Sequence, residues 1–298
     1  MPTGQIIKAL SGFYYVLADG NIYQTRGRGV FRKRGQTPLV GDLVEFESTS
    51  QTDGMIVTLL PRKNSLIRPT VANIDVAVIV MSAVEPNFST HLVDRFLVYL
   101  EAKQIQPVIV ITKMDLLTEQ EAQTIQQFKH QYEQIGYRVW LSQELFAQED
   151  GFLATLQNQL VVFMGQSGVG KSTLLNHFVP ELQLETGVIS TALGRGKHTT
   201  RHVELHCIKG VWIADTPGFS SVELMGITKE ELPHLFPEFR LYDSMCKFRE
   251  CSHTHEPSCG VKEALENGKI IPSRYEHYQL FLEEINQQKP KYEQRKGE

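Results

Sequence analysis

Apolar positions in residues 1–64 come in short alternating runs separated by turn residues. Gly12-Phe13-Tyr14-Tyr15-Val16-Leu17 ends at Asp19-Gly20-Asn21, a hairpin signal. Leu43-Val44-Glu45-Phe46 follows Gly41-Asp42, and the run from Gly54 to Leu60 ends at Pro61. The period is that of half-buried strands, and no helical period interrupts it. The expectation for 1–64 is a small β-barrel, with an oligonucleotide-binding (OB) fold as its leading form.

Between 65 and 225 the pattern changes to continuous apolar runs alternating with amphipathic stretches. Strands are expected at 74–81, 107–111, 137–141, 160–164, 203–208 and 210–214. Helices are expected at 90–104, where Leu92, Phe96, Leu97 and Leu100 share a face, and at 119–135. That alternation predicts a doubly wound α/β domain. From 226 to 298 the chain is polar, helix-prone and rich in cysteine, with a disordered tail expected from Lys289.

Gly165-Gln166-Ser167-Gly168-Val169-Gly170-Lys171-Ser172 fits the P-loop pattern. It follows the apolar run Leu160–Met164 and opens a helix start at Ser172-Thr173, the context that motif requires. Glycines let backbone N–H groups close around phosphates, and a helix N-terminus favours the anion. Lys171 is expected to reach the β/γ-phosphates, and Ser172 to ligate Mg²⁺ bound with GTP. Asp215-Thr216-Pro217-Gly218 ends the strand Val211–Ala214. Asp215 there can hold the Mg²⁺, and Gly218 can offer its N–H to the γ-phosphate.

Thr112-Lys113-Met114-Asp115 ends the strand 107–111. A carboxylate at Asp115 can accept from guanine N1–H and N2–H₂, a donor pair that adenine lacks. Lys113 would lay its stem over the base, and Ser142, after Val139-Trp140-Leu141, could add a backbone contact. This base-reading motif precedes the P-loop, whereas an ordinary GTPase places it last. The parts of one nucleotide site are present in rotated order.

Gly194–His202 lies where a switch I loop belongs. Thr200, rather than Thr199, is expected to ligate Mg²⁺ and meet the γ-phosphate. Residue 219 is Phe, so a water-orienting glutamine is missing after Asp215–Gly218. His198, two residues from Thr200, is the best candidate to orient water in its place, with a phosphate- or RNA-contacting histidine as the alternative.

Cys246, Cys251, His253 and Cys259 cluster in polar sequence, with His255 as an alternative fourth ligand. Three thiolates and an imidazole close a tetrahedral shell, so one structural Zn²⁺ is expected. Cys207, in a predicted strand, reads as core. Arg26, Arg28, Arg32, Lys33 and Arg34 form the densest positive run, with Phe31 as a stacking face. The run falls in a loop of the predicted barrel, where such folds bind RNA.

The 298 residues are 41% hydrophobic and 21% charged, with net charge −4, so RNA contacts must come from local basic patches. No apolar run is long enough to span a bilayer. Four cysteines in such a chain are no disulfide framework, which predicts a cytoplasmic protein with reduced thiols. The absence of heptads or a large apolar stripe predicts a monomer.

Together these residues resemble the circularly permuted GTPases of the RsgA (YjeQ/YloQ) family, which depend on the small ribosomal subunit. The resemblance covers the whole chain and needs T-K-x-D before the P-loop, G-R-x-x-H-T-T in switch I, D-T-P-G and the Cys/Cys/His/Cys cluster. One departure is Gly196-Lys197 between Arg195 and His198, where some relatives run Arg-His directly. The resemblance implies an OB-fold domain at 1–64, a permuted GTPase domain at 65–225 and a zinc-binding domain at 226–298. It also implies GTP hydrolysis stimulated by the small subunit, contact with its rRNA, a role in late subunit maturation, and a part for His198 in hydrolysis. Two other readings fit the motifs: an RNA-binding assembly module holding GTP as a structural ligand, and an ATPase with a fortuitous T-K-x-D.

Overall fold

Left-handed turn residues organise the first strands. In a computed structural model, which describes residues 1–67, 69–182, 203–215 and 222–288, β1 (Thr3–Leu10) and β2 (Phe13–Ala18) are joined by Ser11-Gly12. β2 and β3 (Asn21–Gly27) are joined by Asp19-Gly20. The four turn residues have φ between 47° and 84°, the handedness that matches strand twist in a two-residue hairpin.

After β3 comes α1 (Gly29–Lys33), then β4 (Leu43–Ser50) and β5 (Asp53–Leu59). β3 pairs with β5 in parallel, β5 with β4, and β4 with β1. The strands therefore close into a five-stranded barrel of OB type, filled by Ile6, Val16, Val44, Phe46 and Ile56. Two expectations need correcting here. The basic run is not a plain loop, because α1 occupies it. Phe31 is only 6% exposed and offers no stacking face, since the one aromatic ring in so polar a run is drawn inward.

A short ladder of β6 (Ser65–Leu66) with β7 (Val71–Ala72) leads to the central sheet. In chain order its members are β8 (Val76–Ser82), α2 (Thr90–Ala102), β9 (Gln106–Thr112), α3 (Glu119–Ile135) and β10 (Arg138–Leu141). There follow α4 (Ser142–Ala147), α5 (Glu149–Ala154), β11 (Leu160–Met164), α6 (Lys171–Phe178), β12 (Glu204–Ile208) and β13 (Val211–Asp215). α3 is closed at its start by a capping box between Thr118 and Glu121 and at its end by left-handed Gly136.

The strand order is β10-β9-β8-β11-β13-β12, and every neighbouring pair from β10 to β13 is parallel. β8 is buried along its whole length, as a central parallel strand covered on both faces must be. β12 runs antiparallel to β13 and meets β1 of the barrel at Lys8↔Glu204, where the two side chains form an ion pair of 2.7 Å. Cys207 is exposed rather than core. It shares a strand face with buried Leu205 but lies nearer the Lys209-Gly210 turn, beyond the cover of the sheet.

The chain divides into two compact units, Met1–Phe88 with Lys103–Ser221, and Ser89–Ala102 with Val222–Glu298. The second holds α7 (Pro237–Arg240), α8 (Gly260–Glu266) and α9 (Pro272–Gln287), and also α2. Val98 of α2 joins Phe236, Phe239, Tyr278 and Phe281 in its core. Within that core Arg274 is fully buried. It donates to Asp94 of α2 at 2.7 Å and forks onto both carboxylate oxygens of Glu238. Asp94 also lies 2.6 Å from His277 Nδ1. Paired and bidentate contacts of this kind are what keep buried charge tolerable.

Candidate functional site

Because β8, β9, β10, β11 and β13 are parallel, their carboxyl ends share one edge of the sheet, where ligands of open α/β sheets bind. β11 ends at Met164 and the phosphate-loop segment begins. Gly165 has φ 143°, and a Cβ there would lie 2.1 Å from the Val80 carbonyl oxygen, so only glycine fits. Gly170 has φ 92° and packs beside Thr112. Val169 is fully buried and anchors the loop from below, while Gln166 is half-buried and Ser167 and Gly168 face outward.

Lys171 opens α6, and no side chain caps that helix start. Its first N–H groups, including those of Ser172 and Thr173, therefore remain for an anion. Lys171 Nζ donates back to the carbonyls of Gly165, at 2.7 Å, and of Gln166. Burial pushes its pKa down to about 8, because desolvation disfavours the charged ammonium.

β9 ends at Thr112, whose hydroxyl lies 2.6 Å from the carbonyl oxygen of Val169 and 3.2 Å from that of Met81. The Thr112–Asp115 segment is thereby bonded to the glycine-rich loop before α6, although the two are far apart in sequence. Lys113 has φ 58° and donates from Nζ to the carbonyl of Glu85. Met114 is buried, and the Asp115 carboxylate next to it is exposed. Ser142, buried, begins α4 directly after β10. The backbone of Asp215 ends β13 on the same edge. Ser172 follows Lys171 in the first turn of α6. Gly218, Thr199, Thr200, His198 and Phe219, like the tail from Lys289, lie outside the described residues.

The second unit carries a separate centre. The ligand atoms of Cys246, Cys251, His253 and Cys259 all lie within 4.8 Å of one another and can hold a metal ion. Cys246 Sγ is 3.9 Å from Cys259 Sγ, and His253 Nδ1 is 3.6 and 3.3 Å from these two sulfurs. A tetrahedral site with metal–sulfur bonds of about 2.3 Å has edges of about 3.6–3.8 Å, so the donors fit. His253 supplies the nitrogen, while His255 is exposed and outside the group.

Burial pushes the Cys251 thiol up to about 12 and lowers His253. Burial thus favours the neutral thiol, and a bound cation would favour the thiolate. The knuckle is held by groups that sequence patterns did not reveal. Tyr275 donates to the His253 carbonyl at 2.6 Å and Tyr278 to that of Ser252 at 2.5 Å. The Asp243 carboxylate lies 3.9 Å from His253 Nε2, too far for a direct hydrogen bond. The spacing of Tyr275 and Tyr278 on one face of α9 was a readable signal for core. Their hydroxyl partners were not readable.

On the barrel, Arg26 is exposed and stacks over Phe13 at 4.6 Å, and Arg28 pairs with Glu47 at 3.6 Å. Lys33 and Arg34 are exposed, and Arg32 lies within α1.

The family model described as RsgA GTPase matches residues 59–225, and that of the RsgA N-terminal domain matches residues 3–56. The chain belongs to the RsgA GTPase family. As a member it is a GTP hydrolase, with a circularly permuted P-loop core and an OB-type barrel. The small ribosomal subunit biogenesis GTPase RsgA of Geobacillus sp. (strain WCH70) is 56% identical over 293 residues, covering 98% of this chain and 100% of the relative. The crystal structure of YloQ, a circularly permuted GTPase, superposes with a TM-score of 0.83 at 47% identity, covering 98% of this chain and 97% of that one. That of YjeQ from Thermotoga maritima gives 0.81 at 32% identity, covering 97% and 99%. Among the described residues no helix is long and apolar enough to cross a membrane.

Proposed function

We propose that this GTPase binds the small ribosomal subunit through its rRNA, acts in late maturation of that subunit, and hydrolyses GTP to GDP and phosphate when the subunit stimulates it. The observation that carries the nucleotide half is the bond from Thr112 to Val169, which joins base-reading segment and phosphate loop on one sheet edge. The ribosomal half is supported by full-length similarity to relatives named for small-subunit biogenesis.

In this reading Asp115 accepts from the guanine edge, Lys113 and Met114 flank the base, and Ser142 adds a backbone contact. The loop from Gly165 to Gly170 wraps the phosphates with its N–H groups, and Lys171 leaves the loop carbonyls for the β/γ-oxygens. Ser172, Thr200 and Asp215 hold Mg²⁺, which, bound with the nucleotide, offsets phosphate charge. Gly218 donates to the γ-phosphate, and His198 orients the attacking water that Phe219 cannot.

Cys246, Cys251, His253 and Cys259 hold a structural Zn²⁺. Arg26, Arg28, Arg32, Lys33 and Arg34 contact RNA phosphates, without Phe31. The protein works as a cytoplasmic monomer.

The test is GTP turnover with and without purified small subunits, for wild type and His198→Ala. Strong stimulation that the substitution abolishes is expected. Stimulation that survives it removes His198 from the chemistry, and absence of any stimulation overturns the ribosomal reading.

A further inference from the structure

Lys113 directly follows β9, Glu85 lies three residues beyond the end of the neighbouring parallel strand β8, and they share an uncommon feature. Each is a non-glycine residue in the left-handed region, with φ 58° and φ 52°. Such conformations cost energy and persist only where surrounding contacts impose them. Here the two meet, since Lys113 Nζ donates to the Glu85 carbonyl oxygen.

The turn that aims this carbonyl is built at both ends. Buried Ser82 donates its hydroxyl to the Val84 carbonyl, and the Ala83 N–H donates to the Thr112 carbonyl at 3.0 Å. Three residues beyond Glu85, Phe88 packs edge-on against Phe128 of α3 with ring centroids 4.7 Å apart. The Glu85 side chain is exposed, so what the fold fixes at this position is its backbone.

We propose that Glu85 is a positioning residue of the guanine pocket. Its carbonyl holds the Lys113 ammonium, so that the four-carbon stem lies extended beside Asp115 as a flat apolar wall for the purine ring. The ammonium stays in a polar contact while its stem covers the base, the usual division of labour in a long cationic side chain. Asp115 then reads the base edge and the Glu85–Lys113 pair holds its face. This rests on the assignment of Thr112–Asp115 as the base-reading segment.

The experiment measures GDP and IDP affinity by titration calorimetry. IDP lacks the guanine 2-amino group but keeps the ring. Glu85→Val disfavours the left-handed backbone, whereas Glu85→Gly adopts it freely. Both delete the carboxylate, so the difference between them isolates the carbonyl.

Glu85→Val is expected to weaken GDP and IDP binding by the same factor, about tenfold, with Glu85→Gly losing less. In a Lys113→Ala background Glu85→Val is expected to have no further effect, the signature of a coupled pair. Ser82→Ala, which loosens the turn without touching position 85, is expected to show the same dependence on Lys113. Equal losses in Val and Gly variants, or a loss undiminished in the Lys113→Ala background, overturn the proposal. Asp115→Asn separates the two levels. If it fails to move preference toward xanthine nucleotides, the base-reading assignment itself falls. If preference moves but Glu85→Val binds as wild type, only the role of Glu85 falls.

Discussion

The hydroxyl of Thr112 is 2.6 Å from the carbonyl oxygen of Val169, and this bond ties the end of β9 to the loop that precedes α6. Val169 is buried, so its carbonyl has no water to turn to. Thr112→Val keeps the side-chain shape and removes the donor. Leaving a buried acceptor unpaired costs about 1–3 kcal/mol. GDP affinity is expected to fall about tenfold, with a lower melting temperature. Calorimetric titration and a thermal melt check both, and unchanged affinity would show that the loop holds its shape without Thr112.

Lys171 gives the nucleotide-free protein a defined pH response. Burial lowers its pKa from 10.5 to about 8. Between those values the unfolded chain holds a proton that the folded chain has released, so stability rises with pH across that window. Below about 8 the folded protein carries the desolvated charge and the gain is absent. The stability–pH curve of wild type minus that of Lys171→Met is expected to rise from pH 8 to 10.5. Nucleotide phosphates restore the ammonium, so binding above pH 8 is expected to take up a proton, read from calorimetry in buffers of different ionisation enthalpy.

Asp94 holds both Arg274 and His277 inside the second unit. Asp94→Ala leaves a fully buried guanidinium with Glu238 as its remaining carboxylate partner in this cluster. Removing one partner of a buried ion network costs about 3–5 kcal/mol. Hydrogen exchange is expected to show faster opening of α2, α7 and α9, with strands β8 to β11 keeping their protection. Uniform loss across both units would contradict the independence of the two cores.

The Cys246, Cys251, His253 and Cys259 centre is expected to retain one zinc per chain through purification. Cys259→Ser, or mercurial titration of the thiols with a zinc dye present, is expected to release it and unfold the second unit. Structural sites of this kind draw much of their folding free energy from the metal. A protein that loses zinc with unchanged melting would remove it from a structural role.

Local chemistry made much of this molecule legible before any coordinates. The P-loop pattern and the hairpin at Asp19-Gly20 are encoded within a few residues. Strand β11 falls at 160–164, as its apolar run indicates, and α3 at 119–135. Illegible features depend on what comes across from elsewhere. Phe31 looked like a stacking ring because its neighbours are cations, yet burial decides its role. Cys207 looked like core because its strand is apolar, but its position near a turn leaves it exposed. Asp94 sits on an amphipathic helix as an isolated acid, and Arg274 and His277, far along the chain, explain it. Glu85 carries no pattern at all, because a backbone carbonyl is the same in every residue.

α2 leaves one unit's sequence, serves the other's core, and returns. A protein fragment cut to begin at residue 222 would therefore lack a helix of its own core, expose Phe236 and Phe281, and strand Arg274 without Asp94. Conversely, a protease nick in the 216–221 stretch would sever the covalent path there without freeing the C-terminal piece. That piece would still grip α2 and co-migrate with the rest of the chain until denaturant separated them.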